Sequence, residues 1–280
     1  MDYSIKIENL NKNYPSFSLK DVSFSLPKGY IMGFIGKNGS GKSTTIGIAL
    51  GLKKADSGVC QILGENSYEL SSETKEKIGV VLDECCLPGT LNYVQINKVL
   101  SGIYKNWDSE KFLSGCENYN FDKKTIINKY SKGMKMKISI LSAICHRPEL
   151  LILDEPTSGL DPEARSEIMD MLLDFVQDEN KSVLISSHIT SDLEKVCDYI
   201  TMINNGKIVF SEEKDRLLEE YGILHCANSD FDKIDKSAVI SSKQTQYSTN
   251  ALVKRSNLKG DYIIDKPSLE DIMLYCSKEA

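Results

Sequence analysis

Between Gly36 and Thr44 the chain reads Gly-Lys-Asn-Gly-Ser-Gly-Lys-Ser-Thr, which sets Gly36, Gly41, Lys42 and Ser43 at the spacing G-x-x-x-x-G-K-[ST]. The glycines Gly36, Gly39 and Gly41 let the backbone curl so that successive N–H groups point inward at phosphate oxygens, where a Cβ would obstruct. Lys37, Asn38, Ser40 and Thr44 complete the cradle. Lys42 supplies a mobile cation for the outer phosphates of a nucleoside triphosphate, and Ser43 a hydroxyl for Mg²⁺.

Downstream, Leu150-Leu151-Ile152-Leu153 is a continuous apolar run that suits a strand buried on both faces, and it ends in Asp154 and Glu155. Paired with a phosphate loop, acids at the end of a buried parallel strand lie where α/β proteins bind ligands. The alternative is a pair of solvated acids that begin a loop. Tyr14, in a polar segment upstream of the loop, is either a ring that stacks on a purine or an ordinary core or surface tyrosine. His188 follows another apolar strand, and a lone histidine there is usually structural.

The elements that must hold these groups follow from the pattern. Ile5 and Ile7, then Val22, Phe24 and Leu26, alternate with polar neighbours as in an antiparallel β start. Tyr30–Ile35 reads as the strand before the phosphate loop, and a helix after it aims its positive N-terminus at the phosphates. Ile78–Leu82 is a short apolar strand that leads to Asp83 and Glu84. Ile96, Val99, Leu100, Ile103 and Tyr104 then recur at helical spacing, a stripe read as core in preference to a partner groove. Ser131 caps a helix that Pro148 stops, Asp161-Pro162-Glu163 starts another, and Ser191 with Glu194 forms a capping box. Asn205-Gly206 is a hairpin turn. Beyond about residue 212 the pattern weakens to a charged helix, a polar stretch through Asn250 and a last helix from Ser268.

Composition bounds the chemistry. With 280 residues, 41% hydrophobic and 26% charged, the chain can bury a substantial core as one large domain or a large one plus a small one. A net charge of −6 argues against a protein that binds nucleic acid by neutralising phosphates. The scattered cysteines, without a C-x-x-C pair, are expected to be reduced thiols of the cytosol. No window approaches the ~18 consecutive apolar residues of a membrane span, so any work at a membrane goes through another chain.

Taken in order, these motifs resemble those of the ATP-binding subunit of ABC transporters over residues 1–211. Gly36 to Thr44 matches the Walker A loop, and Leu150 to Glu155 the Walker B strand. Ser158-Gly159-Leu160-Asp161 is similar to the D-loop, and Ser131-Lys132-Gly133-Met134 to the signature motif. The resemblance makes His188 the switch histidine and Tyr14 the adenine-stacking aromatic. It implies an α/β fold with a P-loop NTPase core, an antiparallel β subdomain and a helical subdomain at about 84–145. Residues 212–280 then form a small α+β C-terminal accessory region.

The implied activity is hydrolysis of ATP with Mg²⁺ by a homodimer or heterodimer of such subunits. Each ATP would lie between one copy's phosphate loop and the Ser131 hydroxyl and Gly133 N–H of the other. Lys42 would offset phosphate charge, Glu155 would polarise the attacking water, and His188 would hydrogen-bond the γ-phosphate. Ser43 and Asp154 would hold the metal, with Asp83 or Glu84 at the position of the family's usual glutamine. The signature departs from the commonest form at Tyr130 and Lys132. The implied setting is cytoplasmic, peripheral on the inner membrane face through a separate integral permease, exporting a drug, peptide or lipid and touching no nucleic acid. The competing class is a soluble ABC ATPase that acts on ribosomes or nucleic acid; the single phosphate loop and the short insertion without sustained heptads weigh against it.

Overall fold

The computed structural model describes residues 2–258, 260 and 262–277. The alternating N-terminal residues form the hairpin β1 (Tyr3–Tyr14) and β2 (Phe17–Pro27), followed by β3 (Ile31–Ile35) and α1 (Lys42–Ala49). Next come β4 (Ser57–Ile62), β5 (Glu65–Asn66), α2 (Ser72–Glu76) and β6 (Ile78–Val81). A helical stretch follows with α3 (Tyr93–Ser101), α4 (Ser109–Asn118) and α5 (Lys132–Ile144). The chain then alternates through β7 (Leu150–Asp154), α6 (Pro162–Phe175), β8 (Ser182–Ser187), α7 (Thr190–Val196) and β9 (Tyr199–Asn204). The Asn205-Gly206 turn leads to β10 (Lys207–Glu213) and α8 (Lys214–Glu220). Last come β11 (Tyr221–Ala227), α9 (Asn228–Phe231), β12 (Val239–Gln244), β13 (Ser248–Lys254), β14 (Ile264–Asp265) and α10 (Leu269–Cys276).

Among the described residues the central sheet has the order β10-β9-β3-β8-β7-β6, parallel throughout except for the β9–β10 edge hairpin. Because side chains alternate along a strand, this sheet feeds two cores. Leu151, Leu153, Val183 and Ile185 join the cluster under α5, α6 and α7. Leu150, Ile152 and Leu184 join the other, with Ile46 and Ile48 of α1 and the inward residues of the antiparallel sheet β2-β1-β4-β5.

Caps fix where the helices point. Ser131 accepts the Met134 N–H and Asp161 the Ala164 N–H, each worth about 1 kcal/mol. The capping box at Ser191 and Glu194 is not formed. Extended Ile189 precedes α7, Ser191 lies inside it, and the buried Leu193 and Val196 hold the helix in place. The apolar stripe of residues 96–104 also divides differently from its spacing. The helix α3 ends at Ser101; Ile96 is buried, whereas Val99 is 43% and Ile103 63% exposed.

The polar stretch before Asn250 contains strands, in a third sheet of order β12-β13-β11-β14. One face of this sheet covers a small cluster of Leu224, Ile234, Ala251 and Val253. Its other face sends Ile223 and Leu252 into the main core, where Leu217, Leu218, Leu269 and Ile272 also lie. At the start of α10 the Glu194 carboxylate accepts the Leu269 N–H at 3.2 Å, and Lys214 donates to the Glu194 carbonyl at 2.9 Å. No helix among the described residues is long and apolar enough to cross a membrane.

Candidate functional site

The loop between β3 and α1 turns at the C-terminal edge of the central sheet. Two of its glycines are structurally required. A Cβ at Gly36 would lie 2.4 Å from the Ile203 carbonyl oxygen, and Gly41, which precedes α1, has φ +119°. The loop borders a cavity of about 690 Å³ lined by Asn38, Gly39, Gly41, Lys42, Ser43, Thr44, Asp83, Glu84, Glu155 and His188, together with Phe17, Lys132 and Ser158.

A chain of polar contacts crosses its wall. Lys42 is 5% exposed; its Nζ donates to the Gly36 carbonyl at 2.7 Å and stands 3.1 Å from Glu155 Oε1. Glu155 Oε2 lies 2.7 Å from His188 Nδ1. Cation, carboxylate and imidazole thus form one line. Glu155 adopts φ +52°, a left-handed conformation that costs an L residue on the order of 1–2 kcal/mol. Ser186 offsets that cost. Its hydroxyl donates to Asp154 Oδ1 at 2.5 Å and accepts the Glu155 N–H at 3.0 Å, while its carbonyl accepts the same N–H at 3.2 Å. The parallel pairing of Asp154 with Ser186 places that hydroxyl between the two acids.

Sequence reasoning had missed Ser186. The signal available was its place in β8 next to the strand that ends in Asp154, but sheet neighbours cannot be read from one chain's sequence. Phe17 was missed as well. Tyr14, singled out as the stacking aromatic, is outside the cavity lining, and the Lys12 ammonium stands 5.6 Å from its ring centroid. Asp83 and Glu84 both line the cavity, so the structure admits either. Gly36 and Lys37 act through carbonyls that receive Lys42 Nζ, at 2.7 and 3.4 Å, and Ser40 Oγ is buried without a hydrogen-bond partner.

For a magnesium ion the donor chemistry is suitable. Ser43 offers an exposed hydroxyl beside Lys42, and Asp154 a carboxylate of which Oδ1 is taken by Ser186. Hard oxygens of this kind, few in number, suit a cation that keeps waters and takes phosphate ligands.

Ser131 and Gly133 do not join this cavity. They line a separate one of about 230 Å³ with Met134, Lys137, Asp161, Glu163, Ala164 and Glu167. The Ser131 oxygen accepts the capping Met134 N–H, which leaves its proton to donate outward. A third hollow, about 280 Å³, is mainly apolar: Val80, Leu82, Leu87, Leu100 and Tyr104 line it, with His146 and Glu84. His146 is buried there, its ring stacked on Tyr104 at 4.3 Å, and burial lowers its proton affinity below that of a free imidazole.

Residues 19–158 match the ABC transporter family model. The chain is 36% identical over 216 residues to the bacitracin transport ATP-binding protein of Bacillus licheniformis, covering 75% of this chain and 69% of that protein. It is 36% identical over 214 residues to the lantibiotic transport ATP-binding protein of Streptococcus pyogenes, at 75% and 91% coverage. The linearmycin resistance ATP-binding protein of Bacillus subtilis is 34% identical over 224 residues, at 78% and 72%. Among solved structures, an ATP-binding subunit of an ABC transporter superposes with a TM-score of 0.68 at 25% identity, covering 77% of this chain and 92% of that one. A dimeric ATP-binding cassette with ADP and Pi gives 0.66 at 22%, covering 75% and 98%, and has the same fold.

Proposed function

This chain belongs to the ATP-binding proteins of ABC transporters, and from that premise we propose that two copies hydrolyse ATP together to drive a separate membrane permease. The observation that carries the reading is the split site. Phosphate loop, Glu155 and His188 share one cavity, while Ser131 and Gly133 line another. A head-to-tail pair brings the second against the nucleotide held by the first, with the N-terminus of α5 facing the γ-phosphate.

In hydrolysis Lys42 leaves Glu155 for the β- and γ-phosphoryl oxygens. Freed of its counter-ion, the Glu155 carboxylate accepts a proton from the attacking water, and His188 keeps that carboxylate oriented while its ring faces the γ-phosphate. Ser186 holds the backbone of Glu155 and the carboxylate of Asp154 in register. Ser43 and Asp154 would hold Mg²⁺, which would supply charge neutralisation at the phosphates. Phe17 or Tyr14 covers the base.

The apolar hollow between β6, α3 and α5 receives a cytoplasmic helix of the permease, and Glu84 connects the two processes because it lines both this hollow and the phosphate cavity. The relatives named for bacitracin, lantibiotics and linearmycin favour export of an antimicrobial compound, whose contacts lie mainly in the permease. The direct test is Glu155→Gln. With ATP it should elute as a dimer in size-exclusion chromatography while turnover falls about a hundredfold or more. Turnover near the wild-type rate would refute the assignment.

A further inference from the structure

We propose that the C-terminal helix α10 is a brace for His188, and that Glu194, through which it acts, is a positioning residue for hydrolysis. The proposal rests on the reading of the phosphate cavity as an ATP site, and it gives the region beyond residue 212 a part in that site's turnover. His188 lines the phosphate cavity, its Nδ1 2.7 Å from Glu155 Oε2, and only Ile189 separates it from the start of α7. The helix α7 has seven residues and no side-chain cap at its start, and a helix that short is not stable by itself. Where His188 stands is therefore set by what grips α7.

The grip is unequal. Toward α6 it is loose: Arg165 Nη1 stands 3.6 Å from Asp192 Oδ1, beyond ordinary hydrogen-bond length, and Arg165 Nε and Asp192 Oδ2 are buried with no hydrogen-bond partner among the described residues. Toward the C-terminal region it is tight. Leu193 and Val196 of α7 are buried in the same core as Leu269 and Ile272 of α10, and the two helices pack together. Glu194 Oε2 accepts the Leu269 N–H at 3.2 Å, which adds a carboxylate at the positive end of α10 beside the capping box of Ser268 and Asp271. The backbone carbonyl of Glu194 accepts Lys214 Nζ at 2.9 Å. The far end of α10 is held as well, where the Asn204 side-chain amide at the end of β9 donates to the Ser277 carbonyl at 3.4 Å. Tied to β9 at one end and to α7 at the other, α10 gives α7 the fixed support that the open contact of Arg165 with Asp192 does not.

The test is a double-mutant cycle in the full chain, read by single-turnover hydrolysis of ATP. Glu194→Ala should lower the rate at saturating ATP about tenfold with KM within about twofold, and Glu194→Gln, whose amide oxygen still accepts the Leu269 N–H, about threefold. Combined with His188→Ala, either change should cost less than about 1.5-fold more, because its effect passes through the histidine. A loss of the same size in the His188→Ala background would show a merely structural role and overturn the proposal, as would wild-type rates in Glu194→Ala. If Glu194→Ala does not fold, Glu194→Gln carries the same cycle, and a wild-type rate there overturns the proposal. A second reading needs no turnover: in ring-labelled histidine NMR the His188 signal, assigned through His188→Ala, should shift in Glu194→Gln, and an unmoved signal would contradict the brace. Wild type that hydrolysed no ATP would overturn the ATP-site reading itself, whereas normal wild-type turnover with unaffected Glu194 variants overturns only the role of α10.

Discussion

The phosphate cavity and the apolar hollow lie on either side of the loop that follows β6, and they are made of opposite materials. The first is walled by backbone N–H groups, Lys42, Glu155 and His188, groups that gain strength when water is replaced by an anionic ligand. The second is walled by Val80, Leu82, Leu87, Leu100 and Tyr104, which gain by being covered. Glu84 borders both. The contrast teaches that one short loop borders both a charged cavity and an apolar one, which is what lets substitutions on its two sides be compared.

Substitutions should separate the two. The largest effect is expected at Glu155: Glu155→Gln should cut turnover about a hundredfold or more while ATP affinity, measured by calorimetry, is kept or raised a few-fold. Affinity is retained because the change also removes the ion pair that occupies Lys42 in the unliganded chain. A fall in affinity would show that this pair does not compete with phosphate. Next comes Ser186→Ala, which removes the hydroxyl shared by Asp154 and Glu155. Its kcat should fall about tenfold or more with KM changed less than threefold, since it disturbs positioning in the transition state over ground-state binding. A rise in KM alone would contradict that role.

On the other side of the loop, Val80→Glu puts a charge on an exposed position of the hollow. ATPase activity of the isolated protein should stay within about twofold, while recovery of the permease in co-purification drops about tenfold. Loss of the soluble activity would break the separation of the two regions. The smallest effect concerns His146, also in the hollow. Burial lowers its proton affinity, so the unfolded chain takes up the proton first. Stability from this source is whole above the free-imidazole value of 6.5 and is lost as pH falls below it. The midpoint of urea unfolding should therefore decline below that pH in wild type and decline less in His146→Gln; equal slopes would contradict the assignment.

What could be read from the chain, and what could not, follows the same physics. The phosphate loop, the apolar run before Asp154 and Glu155, and the caps at Ser131 and Asp161 are local patterns. Their geometry is dictated within a few residues, and the structure forms the elements where the spacing put them. Ser186 was illegible because its role arises from the register of β7 against β8, 32 residues away along the chain. Phe17 sits beside the hairpin tip at Tyr14, and which of the two rings meets the cavity depends on how that hairpin packs. The strands β11 to β13 were hidden because β12 is largely exposed and its sheet encloses only a small cluster, which leaves a weak apolar alternation. The end of the molecule also proved less peripheral than its polar composition suggests, since Leu269 and Ile272 lie in the main core beside α7. At Ser191 and Glu194 a local signal lost to tertiary packing, with Glu194 taken up instead by the start of α10.

The central claim, that a working site takes its phosphate loop from one copy and its Ser131 from another, is tested most directly by mixing two inactive variants, Lys42→Ala and Ser131→Arg. In a head-to-tail dimer one of the two sites in each mixed pair is intact, so activity should return on mixing, toward about a quarter of wild type at equal amounts. If the mixture stays as inactive as its parts while mixed dimers are shown to form, each chain completes its own site and the account is wrong.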